Sequence, residues 1–128
     1  MDSLITEFVV DYMKRRTSKK NQITNTQLDS LLQTELGAKP MSEAGIRALI
    51  HHIRVHITIV NEEGENGWIC GSTDGYYVSF NAIDILTHLQ AFEGKIRKMM
   101  AVHRRGMSML VNKIYYKQSE LKFENHDS

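Results

Sequence analysis

Residues 42–78 read SEAGIRALIHHIRVHITIVNEEGENGWICGSTDGYYV, and the rest of the chain is organised around them. Ser42 is a helix opener, because its hydroxyl accepts from a free amide of the first turn and Glu43 adds negative charge at the positive end of the helix. Ile46, Leu49, Ile50 and Ile53 then recur at helical spacing as one apolar stripe, with Arg47 and Arg54 flanking it. With that stripe inward, Ala44, Ala48, His51 and Val55 fall on the opposite face, and the helix runs to about Val55. Trp68–Cys70 and Tyr76–Phe80 read as two short strands joined by GSTDG at 71–75, where Asp74-Gly75 is a tight-turn signal. Tyr76 and Tyr77 alternate along the second strand, so at most one of them is expected to be buried.

The wording S-x-x-x-I-R-x-L-I-x-x-I-R at Ser42, Ile46, Arg47, Leu49, Ile50, Ile53 and Arg54, then I-C-G-S-T-x-G-Y-Y at Ile69, Cys70, Ser72, Gly75, Tyr76 and Tyr77, resembles the small winged helix-turn-helix proteins of phages and prophages. That resemblance implies an α+β, mostly helical fold in which the Ser42 helix reads double-stranded DNA and the ribbon forms a wing. It also implies a role in transcriptional control or replication. The chain departs from the pattern at 55–67, VHITIVNEEGENG, which is longer and more acidic than the short link of the family. Ile57–Val60 in this insertion alternates like a strand and can pair with Trp68–Cys70 across Asn61–Gly67, extending the ribbon into a hairpin or a third strand.

Upstream, Leu4, Ile5, Phe8, Val9, Tyr12 and Met13 predict a helix from about Ser3 to about Arg16. Thr17–Gln22 is a polar loop, and Ile23 is placed to form the single short strand of many winged helices. Thr24 or Thr26 caps a second helix with Leu28, Leu31, Leu32 and Leu36 at core spacing, and Gly37 stops it. The short turn 37–41 into Ser42 suits two crossed helices. Downstream, Asn81 caps the longest helix, drawn to about Tyr116. Ile85, Leu89, Phe92, Ile96, Met99 and His103 follow one another at steps of 4, 3, 4, 3 and 4, a coiled-coil-like seam. Gly94 and Gly106 interrupt this helix, and the apolar set shifts after Gly106 to Met107, Leu110, Val111 and Ile114, which suggests a kink or break there. The organisation is therefore a winged domain at 1–80, a long helix at 81–117 and a frayed tail at 118–128.

With 128 residues and 41% hydrophobic content the chain has room for one core. No run approaches the roughly 20 apolar residues of a bilayer span, and no secretory signal is visible around Asp2 and Glu7. The expectation is a cytoplasmic protein with no membrane partner. Cys70 is the single cysteine, so no intrachain disulfide forms.

The formal net charge of +1 conceals a segregation: residues 1–23 carry +2, residues 24–93 carry −6 and residues 94–128 carry +5. Phosphate contacts would accordingly draw on the two ends, Lys14, Arg15, Arg16, Lys19 and Lys20 at one and Lys95, Arg97, Lys98, Arg104 and Arg105 at the other. The first cluster equally complements the dipole at a helix C-terminus. Arg47 and Arg54 suit guanine edges or phosphates, and equally the acidic segment Glu62, Glu63 and Glu65. His51 completes the DNA-facing set.

No motif for a phosphate loop, a nucleophile elbow or paired-cysteine zinc is present, so no catalytic residue, cofactor or metal is assigned. Cys70 with a histidine would make a nucleophilic pair, but a lone small Cys in a strand is ordinarily a buried hydrophobe. His52 and His56 have the i, i+4 spacing of helical metal ligands, with Cys70 or His88 as partners, but six histidines make that coincidence easy. Two readings of different class follow. One is a DNA-binding winged-helix protein that dimerises through Ile85, Leu89, Phe92, Ile96 and Met99, setting two wings at a fixed spacing for a palindromic site. The other is a winged-helix interaction module for a phage or host protein that does not touch DNA.

Overall fold

The computed structural model describes residues 2–72 and 74–126. Its elements are α1 (Ser3–Met13), α2 (Asn25–Leu36), α3 (Glu43–His56), β1 (Ile59–Val60), β2 (Asn66–Ser72), β3 (Gly75–Ser79) and α4 (Ala82–His126), with one 3-10 turn at Lys19–Asn21. The fold is α+β and mostly helical, with a three-stranded antiparallel sheet ordered β1-β2-β3. Two units are distinct, residues 1–88 and residues 89–128.

Local chemistry explains most of the helix ends. Thr24 and Gln27 form a reciprocal capping box at α2, and Gly37 closes that helix in the left-handed region at φ 61°. Ser42 Oγ accepts from the Gly45 amide at 3.1 Å, and Asn81 Oδ1 accepts from the amides of Ile83 and Asp84, each at 3.0 Å. Asp2 caps α1, which stops at Met13 rather than near Arg16. Of the apolar set of α1, Val9 and Met13 are buried while Leu4 is exposed.

β2 and β3 are antiparallel neighbours, with Trp68 opposite Ser79 and Cys70 opposite Tyr77. Pairing continues to Ser72 opposite Gly75, so Gly75 begins β3 instead of sitting inside the turn; Thr73 of the expected GSTDG turn lies outside the described residues. The insertion does supply a third strand, but only Ile59–Val60 pairs, Ile59 with Gly67 and Val60 with Asn66, and not Ile57–Val60 with Trp68–Cys70, which pair with β3. Asn61 organises its tip, where Oδ1 accepts from the amides of Glu63 and Glu65. On the other side of β3, Ile23 forms a single bridge to Tyr76, with both backbone hydrogen bonds at 2.8 Å. The Val78 amide donates to the Arg16 carbonyl at 2.7 Å, so this edge of the sheet is largely paired.

The core joins Val9 and Met13 of α1, Leu28 and Leu32 of α2, the α3 stripe Ile46, Leu49, Ile50 and Ile53, and Ile59, Ile69 and Val78 of the sheet. The expectation that only one of Tyr76 and Tyr77 is buried is corrected: each is 8% exposed. Tyr76 joins the core, whereas Tyr77 faces the first turns of α4, its ring edge-on to His88 at 5.8 Å between centroids. β3 is thereby covered on both faces.

In the second unit, α4 is helical through Gly106 and onward to His126, so neither the break at Gly106 nor the stop near Tyr116 is observed. Residues 127–128 of the expected tail lie outside the described residues. No helix among the described residues is long and apolar enough to cross a membrane.

Candidate functional site

Two groups of side chains stand out in the first unit: the outward face of α3, and a polar cluster where the sheet meets the start of α4. The connection from α2 to α3 is fixed by Asp29. Its Oδ1 accepts from the Met41 amide at 2.8 Å and its Oδ2 from the Gln33 side chain at 3.0 Å, which sets the chain before the Ser42 cap. With the stripe buried, Ala44, Arg47, Ala48, His51 and Val55 are all exposed, as the spacing requires. Arg47 and His51 sit one turn apart on this face. The pairing of Arg47 with Glu43, at 3.9 Å between two exposed groups, contributes little and leaves the guanidinium available.

Arg54 behaves differently from Arg47. Its Nε and Nη2 both donate to the carbonyl oxygen of Ile69, at 2.9 and 2.7 Å, so the side chain ties α3 to β2. Neither a free base-reading guanidinium nor a partner for Glu62, Glu63 and Glu65 is what the structure places here. Burial lowers its pKa from the ordinary arginine value, while Tyr76 and Cys70 pull the other way.

The basic residues at the end of α1 also divide. Lys14, Arg15, Lys19 and Lys20 are exposed. Arg16 is half-buried, with its guanidinium 4.7 Å over the Tyr12 ring and a hydrogen bond to the Tyr12 hydroxyl. In the second unit Lys95, Arg97, Lys98, Arg104 and Arg105 are exposed along α4, and Arg97 pairs with Glu93. The seam residues Leu89, Phe92, Ile96 and Met99 are exposed as well, while Ile85, in the first unit, is half-buried.

The polar cluster comprises Cys70, Tyr77, Asp84 and His88. The Tyr77 hydroxyl lies 2.9 Å from His88 Nε2 and donates toward the Asp84 carboxylate at 3.2 and 3.4 Å. Asp84 and His88 are themselves one turn apart, with Oδ1 and Nε2 separated by 3.7 Å. The Cys70 thiol is buried beside them, and its sulfur, a carboxylate oxygen of Asp84 and a ring nitrogen of His88 all lie within 4.8 Å of one another. Burial, with Asp84 next, pushes the Cys70 thiol up to about 11, and burial with Cys70 and Asp84 pushes the Tyr77 phenol up to about 12.

A nucleophilic cysteine needs the opposite shift, so Cys70 is held as a thiol and not as an activated thiolate. The metal pattern weighed from sequence, His52 with His56, puts the two rings 4.8 Å apart without gathering a third ligand among the described residues. Asp84 is the residue that sequence reasoning missed. Its signal was available as an Asp-x-x-x-His spacing in the opening turns of a capped helix, but nothing local indicates that β2 delivers a cysteine to that face. Comparison of the chain with protein-family models, with curated proteins and with solved structures finds no match.

Proposed function

We propose that this protein is a winged helix-turn-helix DNA-binding protein of phage or mobile-element type that acts in transcriptional control or replication as a dimer. The observation that carries the reading is the outward face of α3. It is a capped, 14-residue helix reached through a fixed turn from α2, and it exposes Ala44, Arg47, Ala48 and His51 where small residues permit close approach to a major groove. The antiparallel β2–β3 pair that follows suits a wing, and the wording that resembles phage winged helices covers both parts. Arg47 is the base-reading candidate with His51 beside it. Lys14, Arg15, Lys19 and Lys20 are candidates for phosphate, as are the exposed basic residues of α4. Arg16 and Arg54 have structural partners and act on DNA only indirectly.

The test is selection of a duplex from a random pool by the full chain, followed by titration of the selected and a scrambled duplex. Arg47→Ala should relax preference at one position by about 1–3 kcal/mol, whereas Lys19→Ala with Lys20→Ala should weaken both duplexes alike. Affinity should fall steeply between about 50 and 200 mM salt. The second reading, a protein-interaction module, is favoured by the exposed acidic tip Glu62, Glu63 and Glu65. Failure to enrich any duplex, with no binding of a random duplex at low salt, would leave this second reading.

A further inference from the structure

We propose that Cys70, Asp84 and His88 form a binding site for a single divalent zinc-type cation that clamps the opening turns of α4 to β2. The three donors come from two elements and are brought together by folding. They offer one sulfur, one carboxylate oxygen and one imidazole nitrogen, the mixed set that suits a borderline-soft cation better than calcium or magnesium.

The spacing fits with small side-chain adjustments. A tetrahedral zinc site with bonds of about 2.0–2.3 Å puts its ligand atoms roughly 3.3–3.6 Å apart. The Asp84 and His88 atoms already stand at 3.7 Å, and all three donors at 4.8 Å or less. The remaining gap, somewhat over an ångström at its widest, is left to rotation of the Asp84 and His88 side chains, which are half-buried and one turn apart. Beside them, a groove of about 700 Å³ between Ser18, Ser79 and Thr87 reaches Asp84, one of the three donors, and Tyr77.

Charge balance also favours the cation. Coordination expels the Cys70 thiol proton to water, after which a thiolate and a carboxylate neutralise the ion's two charges in a place where unpaired charge is costly. Tyr77 stands beside the ligands, its hydroxyl 2.9 Å from His88 Nε2 and 3.2 Å from Asp84 Oδ2. There it hydrogen-bonds to the ligands or to a water completing the shell. Without metal, the same four groups are a hydrogen-bonded network, and the experiment must separate these two states.

The full chain, stripped with chelator, is titrated with Co2+ and with Zn2+. One equivalent of Co2+ should give the sulfur-to-cobalt charge-transfer band and the strong visible bands of a tetrahedral site, Zn2+ should displace it, and Zn2+ should raise the melting temperature. Cys70→Ser should abolish the charge-transfer band, and His88→Gln and Asp84→Asn should each weaken Zn2+ binding by roughly 10-fold or more. Because Cys70 is buried and its replacement perturbs the core, the half-buried His88→Gln decides independently. His52→Gln should change nothing. No band with Co2+, or affinity unchanged in His88→Gln, or loss in His52→Gln alone, would each overturn the proposal.

Discussion

The guanidinium of Arg54 and the carbonyl of Ile69 form a two-donor contact, 2.9 Å from Nε and 2.7 Å from Nη2, that links α3 to the middle of β2. Hydrogen bonds to a charged group contribute about 1.5–3 kcal/mol, and removing the donor also leaves a shielded carbonyl without its partner. Arg54→Ala should therefore destabilise by on the order of 2–3 kcal/mol, and Arg54→Lys should recover only part because an ammonium lacks the planar fork. Arg47→Ala, on the exposed face, should stay within about 0.5 kcal/mol of the parent. Urea denaturation of the three variants checks this. Equal stability of Arg54→Ala and Arg47→Ala would remove the anchoring role.

A second prediction separates two glycines. Gly75 has φ 140° and lies against the bridge to Ile23, so that a Cβ there would sit 2.6 Å from the Ile23 carbonyl oxygen. Gly64 has φ 80° at the tip of the acidic hairpin, with nothing within 4 Å of its Cβ position. Gly64→Ala should thus cost only the left-handed penalty, roughly 1–2 kcal/mol. Gly75→Ala must in addition push apart Ile23 and Tyr76, and should cost about 3 kcal/mol or more. Equal midpoints in urea for the two variants would show that the sheet yields freely at Ile23.

These examples also mark how far the sequence could be read. Gly37, Ser42 and Asn81 were legible, and Thr24 as one of two candidates with Thr26, because a cap is made with residues two to four positions away. Ile23, expected as a short strand on the winged-helix pattern, forms a single bridge to Tyr76. The role of Arg54 was not legible, because its partner lies fifteen residues on and a carbonyl leaves no mark in the sequence. Burial of Tyr77 is not legible for a related reason: alternation tells which face a side chain takes, not whether α4 covers that face. The glycines of α4 suggested interruption, yet one glycine costs only about 1 kcal/mol and the surrounding helix formers override it.

Alkaline pH supplies a third prediction, through Tyr76. Burial, opposed by Arg54 and Arg47, raises its phenol above the ordinary value of 10. Above that pH the unfolded chain has released the proton while the folded chain still holds it. The unfolded state then binds fewer protons, and stability falls as pH rises. The contribution is fully present below pH 10 and is lost as pH climbs through the folded pKa. Tyr76→Phe keeps the ring in the core and should flatten part of this fall, read as melting temperature against pH from neutral to strongly alkaline. An identical slope in the variant would mean that Tyr76 ionises as freely folded as unfolded.

The final prediction concerns the second unit, where Leu89, Phe92, Ile96 and Met99 follow one another at steps of 3, 4 and 3 and are 40, 58, 40 and 70% exposed. A stripe of this period is what two helices bury against each other in a coiled coil; after Gly106 the exposed apolar set shifts to Met107, Leu110, Val111 and Ile114. Burying each such side chain is worth about 1.5–3 kcal/mol, and a two-fold pair buries every one twice. Ile96→Glu removes two buried side chains per dimer and sets two like charges face to face, so it should raise the dissociation constant by roughly 100-fold or more, at 1.4 kcal/mol per tenfold. Light scattering at tens of micromolar should then show a dimer for the parent chain and a monomer for the variant. The thermal transition of residues 1–88 should persist in that monomer, because Val9, Leu28, Ile50 and Val78 form its core without any residue of the seam. A parent chain that is already monomeric at that concentration would remove self-association from the proposed mode of action, while leaving the reading of α3 to stand or fall by its own duplex titration.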